Sequence, residues 1–169
     1  TVASFSSSAD ITVANGTLTS MTSTDNITWT GTFTPTVNTE DASNTLSLAT
    51  SYTDTAGNVG PAETTANYEV DTLAPTITSV TAGWGAYLNA TEDDSAGTVT
   101  VVTSGAENGE TVTVSLNGTN YTGTVSANST SLTVVASGLQ ALTDGSNYPL
   151  TTNVSDAAGN AATENTGTS

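Results

Sequence analysis

The side chains of this protein that could do chemistry are almost all carboxylates and amides. Asp54 and Asn58 bracket the stretch Asp-Thr-Ala-Gly-Asn, and Asp156 opens a second version, Asp-Ala-Ala-Gly-Asn. Glu40-Asp41, Asp71, the run Glu92-Asp93-Asp94 and Asp144 are the other notable acids. Lys, Arg, His and Cys are absent. Oxygen-only donors suit a hard cation. Calcium takes about six to eight oxygens from carboxylates, amides and carbonyls, whereas zinc and copper favour nitrogen and sulfur. Catalysis has little to work with, because only carboxylates, hydroxyls and phenols remain. Two carboxylates would serve a glycosidase, but nothing marks such a pair, and no enzyme is expected. The alternative duty of Asp54 and Asp156 is structural: an Asp or Asn beside Gly shapes a turn by bonding its own backbone.

The formal net charge is −16 over 169 residues. Without a base, no side-chain ion pair can form. Each acid must face solvent, a bound cation or hydrogen-bond donors. Nucleic acid and anionic membrane are disfavoured as partners, since both call for positive charge. Scattered acids read as a solvated surface, clustered ones as candidate sites. No apolar run approaches the ~20 residues of a membrane span. The chain does not begin with Met and carries no signal peptide, so it is expected to be a piece of something longer.

The elements that position these acids are strands. Asp54–Asn58 returns 102 residues later as Asp156–Asn160, and Asn15-Gly16-Thr17 returns at the same offset as Asn117-Gly118-Thr119. Two landmarks in one register indicate an internal repeat, with modules at 1–71 and 72–169. Apolar and polar residues alternate with period two, as in half-buried strands. Ile11 and Val13 precede one turn. Ile27, Trp29 and Phe33 are expected on one face of a strand, and 35–43 in a loop. Leu46, Leu48 and Tyr52 follow on a further strand. In the second module 76–80, Val99/Val101, Val112–Leu116, Tyr121/Val125, Leu132/Val134 and Tyr148–Val154 give six strands before Asp156, with room for a seventh. Val112–Leu116 runs into Asn117-Gly118, a hairpin signal. A short helical turn is expected within 137–147. Seven such strands fit an immunoglobulin-like sandwich, with a closed barrel as the competing all-β reading. The fold class expected is all-β: two Ig-like β-sandwich modules in series. By the repeat register the first module lacks its N-terminal strands and the second has its last strand cut short. Ile11, Val13, Trp29 and Phe33 would then face an uncovered core side, to be completed upstream or by a neighbouring chain.

Sandwich topology sorts the acids by end. Glu40 and Asp41 follow strand five of the first module, Asp71 lies in the linker, and Asp156 follows strand six of the second. All four are expected at the junction between modules. Glu92, Asp93, Asp94 and Asp144 are expected at the far end of module two, and Asp54 with Asn58 at the near end of module one. Trp84, expected to be exposed in a loop of small residues, is the one aromatic that could stack on a sugar. A glycan ligand is nonetheless not the expected role of this segment.

Residues 76–163 resemble the bacterial Ig-like modules repeated in giant surface adhesins and biofilm-associated proteins. The resemblance is carried by Asn89-Ala-Thr-Glu92, Gly109–Gly118, Gly138–Gly145 and Val154–Asn160, with Val70–Pro75 similar to that family's inter-module joint. Residues 9–70 resemble a second variety through Asp10–Thr17 and Thr32-Phe-Thr-Pro35. The resemblance implies an extracellular or cell-surface stalk segment, stiffened by calcium and flanked by further Ig-like modules, without enzyme activity. A filament or surface-layer subunit completed by strand donation is the alternative.

Overall fold

The computed structural model describes residues 1–168 and divides into two compact units, Thr1–Leu73 and Ala74–Ser169. Ser169 lies outside the described residues.

The first unit opens on a helical turn, α1 (Ser7–Asp10), and continues through short strands. These are β1 (Ile11–Val13), β2 (Gly16–Leu18), β3 (Phe33–Pro35), β4 (Glu40–Asn44), β5 (Leu46–Leu48), β6 (Glu63–Thr64) and β7 (Tyr68–Asp71). They form a sheet β1-β5-β6 and the antiparallel pairs β2-β3 and β4-β7. The chain changes partners at Asn15, which holds φ 49° between β1 and β2.

Three expectations are corrected in this unit. Residues 40–44 form β4 rather than a loop, because Asp41 finds Val70 and Glu40 finds Asp71 across the ladder. Ile27 and Trp29 do not share a strand with Phe33. Asp25 ties Ile27 and Thr28 into a turn, which leaves Ile27 72% exposed. Nor do Trp29 and Phe33 face nothing. Phe5 packs edge-on against Trp29 with ring centroids 4.8 Å apart, and Phe33 meets Tyr68 at 5.8 Å.

The second unit comprises β8 (Thr76–Ala82), β9 (Gly97–Ser104), β10 (Thr111–Leu116), β11 (Thr119–Thr124), β12 (Ser129–Val134), the helical turn α2 (Ala136–Gln140), β13 (Pro149–Asn153) and β14 (Asn165–Thr168). Its two sheets, β11-β10-β13-β14 and β12-β9-β8, make a four-on-three sandwich. Period-two alternation sends Val99 and Val101, Val112, Val114 and Leu116, Leu132 and Val134, and Leu150 inward from facing sheets. Asn117 (φ 49°) and Gly118 (φ 76°) take the paired positive φ of a tight hairpin turn between β10 and β11.

Trp84 is only 8% exposed and belongs to this core, against the exposure expected for it. A Cβ built on Gly97 would sit 2.7 Å from its ring, so Gly97 lets the indole lie flat on β9. Tyr87, three residues on, is the exposed aromatic at 89%. Truncating Trp84 to Ala should therefore destabilise the second unit by about 3–5 kcal/mol. Tyr87→Ala should stay within about 0.5 kcal/mol of the parent. Denaturant unfolding followed at probes in that unit measures both, and equal effects would put Trp84 outside the core.

Candidate functional site

The Asp-x-Ala-Gly-Asn stretch folds into the same loop twice. In the first copy the Asn58 N–H donates to Asp54 Oδ1 at 2.9 Å and Asn58 Nδ2 to Asp54 Oδ2 at 2.9 Å. In the second, the Asn160 N–H and Nδ2 donate to Asp156 Oδ1 and Oδ2 at 2.7 and 2.9 Å. The bridges that close the loops, Thr53 with Val59 and Ser155 with Ala161, are also 102 residues apart. Gly57 and Gly159 supply the left-handed φ of 87° and 92°. Both carboxylates thus organise their own turns. The Asn58 side chain, then its backbone N–H, holds the Asp54 carboxyl below its usual range.

The ladder between β4 and β7 sets Glu40 directly opposite Asp71. Like charges so placed repel unless something neutralises them. Asp71 Oδ1 accepts the N–H of Leu73 at 3.1 Å. Thr72 stitches the same strand end to the 36–39 loop, its hydroxyl donating to the Thr36 carbonyl at 2.6 Å and its N–H to the Thr39 carbonyl at 2.8 Å. Asp41 is drawn inward. Its Oδ2 accepts Asn15 Nδ2 at 2.7 Å and its Oδ1 the Ser43 N–H at 2.9 Å. Asn15 Nδ2 also donates to Asn44 Oδ1 at 2.8 Å, and Asn44 is 1% exposed. Three of the four acids assigned to the junction therefore stand on one strand pair, with Asp41 already spoken for. The fourth, Asp156, is a buried member of the second unit.

In the second unit Asp93 and Asp144 line one groove of about 750 Å3, together with Trp84, Tyr87, Leu88 and Tyr148. Glu92 turns away to accept from the N–H and Nδ2 of Asn89, at 3.0 and 2.6 Å. Asp94 is exposed beside it. Tyr148 immediately precedes β13, its hydroxyl accepting the Thr143 N–H at 2.8 Å, a tie back to the preceding corner. Hydrogen bonds from Thr143 hold this phenol below its ordinary range. Among the described residues no three acidic side chains gather closely enough to enclose a metal. The fold sets Glu40 opposite Asp71 on one ladder and places Asp93 and Asp144 along one groove.

Sequence reasoning missed two acids that matter locally. Asp10, 3% exposed, accepts from the Ser6 N–H at 2.7 Å and the Ser51 hydroxyl, pinning α1 to the segment after β5. The Ser51 bond, then the Ser6 bond, lowers its pKa. Asp25 Oδ1 accepts from the N–H groups of Thr28 and Ile27 and from Ser23 Oγ at 2.8–3.0 Å. Ser23-Thr-Asp25-Asn26 was a readable turn signal, since Ser, Asp and Asn all favour such side-chain bonds to backbone.

Residues 1–70 match the family described as Bacterial Ig-like domain. A bacterial immunoglobulin-like domain from the M. primoryensis ice-binding adhesin is 33% identical; the match covers 56% of this chain and 94% of that one, with TM-score 0.40. A Ca2+-stabilized adhesin that helps an Antarctic bacterium reach out and bind ice is 33% identical over 76% of this chain and 31% of that one, with TM-score 0.42. A 1.5-MDa bacterial ice-binding adhesin, described for host cell surface retention, is 36% identical over 76% of this chain and 41% of that one, again with TM-score 0.42. The chain thus spans about a third of the Antarctic adhesin structure it matches. No curated protein matches. The family match over residues 1–70 and the 33% identity across 94% of the single-domain relative define the kinship. The chain belongs to the bacterial Ig-like domain family, a structural and adhesive class rather than an enzymatic one.

The acid limb of stability should report Asp25. Its carboxyl is lowered from 3.8 to about 2, chiefly by the Thr28 and Ile27 N–H bonds. The folded pKa lies below the unfolded one. The stabilisation is therefore complete above the ordinary value and lost as pH falls through about 2. Carboxyl NMR titration should find the Asp25 midpoint near that value. A midpoint at the ordinary Asp position would dissolve the turn as drawn.

Proposed function

We propose that this chain is a structural spacer of a large extracellular or cell-surface adhesin, a stalk segment whose neighbours are further Ig-like modules. The observation that carries the reading is the loop repeated with the same Asp–Asn hydrogen bonds, 102 residues apart, in two separate compact units. Tandem copies of one module are how a chain gains length, and nothing in either copy is arranged for catalysis. The kinship to domains of ice-binding adhesins supports the same class of role. Among the described residues no helix is long and apolar enough to cross a membrane.

Calcium is the cofactor we propose, with Glu40 and Asp71 as the core of a site and Asp93 with Asp144 as a second pair. The donors fit: all are hard oxygens, and the Glu40–Asp71 repulsion is relieved by a cation that both touch. Two carboxylates with waters and carbonyls make a weak site, in the range of about 10−4–10−3 M typical of extracellular modules. One of the relatives is described as Ca2+-stabilized, which supports the assignment.

Calcium at about one hundred times Kd should add about 2.7 kcal/mol of stability. Magnesium should add less, because it demands compact octahedral geometry. Asp71→Asn should stabilise the chelated protein, by removing repulsion, and abolish most of the calcium-dependent gain. Differential scanning calorimetry with calcium, magnesium, and sodium at matched ionic strength separates coordination from screening. An equal rise in all three would leave only screening. The expectation that Asp156 contributes to the same binding is tested by Asp156→Asn in that series.

One feature favours the filament reading as a second possibility. The first unit carries an apolar hollow of about 310 Å3, lined by Phe5, Ile11, Met21, Ile27, Trp29 and Tyr52 among others. A strand from a neighbouring chain could fill it. Sedimentation should then show concentration-dependent association that Ile27→Asp suppresses. A monomer at all concentrations would favour the spacer.

A further inference from the structure

We propose that the groove between the 84–93 loop and the 139–148 corner of the second unit binds a neutral saccharide. At about 750 Å3 it falls within the range of small-molecule sites. Its walls supply both halves of sugar recognition. Tyr87 offers an aromatic face at 89% exposure, and the buried Trp84 and half-buried Tyr148 back the groove beside it. The exposed tyrosine ring presents a flat apolar face to the C–H face of a pyranose and adds a polar edge.

The polar lining accepts and donates as hydroxyl groups require. Asp93 and Asp144 face the groove, and an ionised carboxylate is an acceptor for several donors at once. The local hydrogen bonds run from Asn89 to Glu92 and from Thr143 to Tyr148, and leave these two carboxylates unused. Thr143, Ser146 and Asn147 complete a lining that is otherwise neutral. The Thr143–Tyr148 bond fixes one wall in advance, which lowers the entropic cost of binding.

Charge selects among sugars. A chain of net charge −16 without a base repels sialylated, uronic and phosphorylated glycans. An amine could also sit between carboxylates and aromatic rings. The neutral ligand is favoured because hydroxyls and an amide outnumber the carboxylates in the polar lining of the corner. The groove owes nothing to Glu40 or Asp71, but it uses Asp93 and Asp144, the second pair proposed for calcium; a saccharide and a cation compete there, and the calcium and chelator arms below tell them apart.

The test uses the whole chain on an array carrying neutral, amino and anionic oligosaccharides, in calcium and in chelator. Neutral hits are then titrated by NMR. Expected are neutral hexose ligands whose shift changes map to residues 84–93 and 139–148. Affinity should hold between about 0.15 and 1 M salt, where screening lengths fall from about 8 to 3 Å. Tyr87→Ala should weaken binding about tenfold with the melting temperature unchanged. Asp144→Asn should weaken it several-fold. No neutral glycan bound at millimolar concentration would overturn the proposal. So would capture of amino sugars alone, lost in high salt, or binding that survives Tyr87→Ala.

Discussion

A carboxylate in this chain can be neutralised from only two directions: by hydrogen-bond donors within the fold, or by cations from outside. No Lys, Arg or His exists to do it. The structure follows from how this constraint is met at each acid. Asp54, Asp156, Asp25 and Asp10 collect backbone N–H groups, amides and hydroxyls, and each fixes a piece of chain in doing so. Charge-assisted bonds of this kind are roughly twice as strong as neutral ones. The acids become the rivets of loops that a basic residue would otherwise have tied down at longer range. Glu40 and Asp71 differ in standing opposite each other on a ladder, where like charges repel, while Asp71 also accepts the Leu73 N–H.

The two units meet the need for cohesion differently. The second has a closed apolar core in which valines and leucines from two sheets interdigitate. The first has Val70 as its one fully buried apolar side chain among the described residues. It relies on edge-on aromatic pairs and on the buried polar knot of Asn15, Asp41 and Asn44. Such a knot contributes only when every member is satisfied. Asn44 meets that condition, with its amide also donating to the Asp41 carbonyl at 2.7 Å. The two units thus reach stability through different interactions.

The second unit was legible in the sequence because β9, β10 and β12 each carry two or three inward residues at period two, enough to fix face and register together. Its Asn117-Gly118 turn and the Tyr148 corner were equally plain. The first unit was harder to read because its strands are two to five residues long. Over so few residues period two cannot be told from accident. Ile27 and Trp29 looked like one face of a strand, yet three bonds to Asp25 outweighed that pattern. Glu40 to Asn44 read as loop because a strand with Glu, Asp, Ser and Asn has no apolar face; its pairing to β7 is held by backbone and by Asn44 instead. Trp84 was misplaced for a related reason. Small residues around it suggested exposure, whereas Gly97 is small so that the indole can press against the strand.

The repeated loop shows which link of the chain from sequence to structure is local. Asp54 sits half-buried in the sparse unit, and Asp156 is 4% exposed in the dense one. Their surroundings differ, and the middle residues differ, Thr55 against Ala157. The hydrogen bonds nevertheless agree: each Asp N–H donates to the Asn carbonyl, and each Gly N–H to the Asp carbonyl at 3.1 Å. Had packing dictated the loop, a change from a loose to a tight interior would have altered it. The geometry must therefore come from the residues the copies share, chiefly Asp, Gly and Asn: an acceptor that reaches back, a residue free to take positive φ, and an amide that closes the ring. A loop so determined can be placed at the end of any strand pair, leaving evolution free to vary everything it joins.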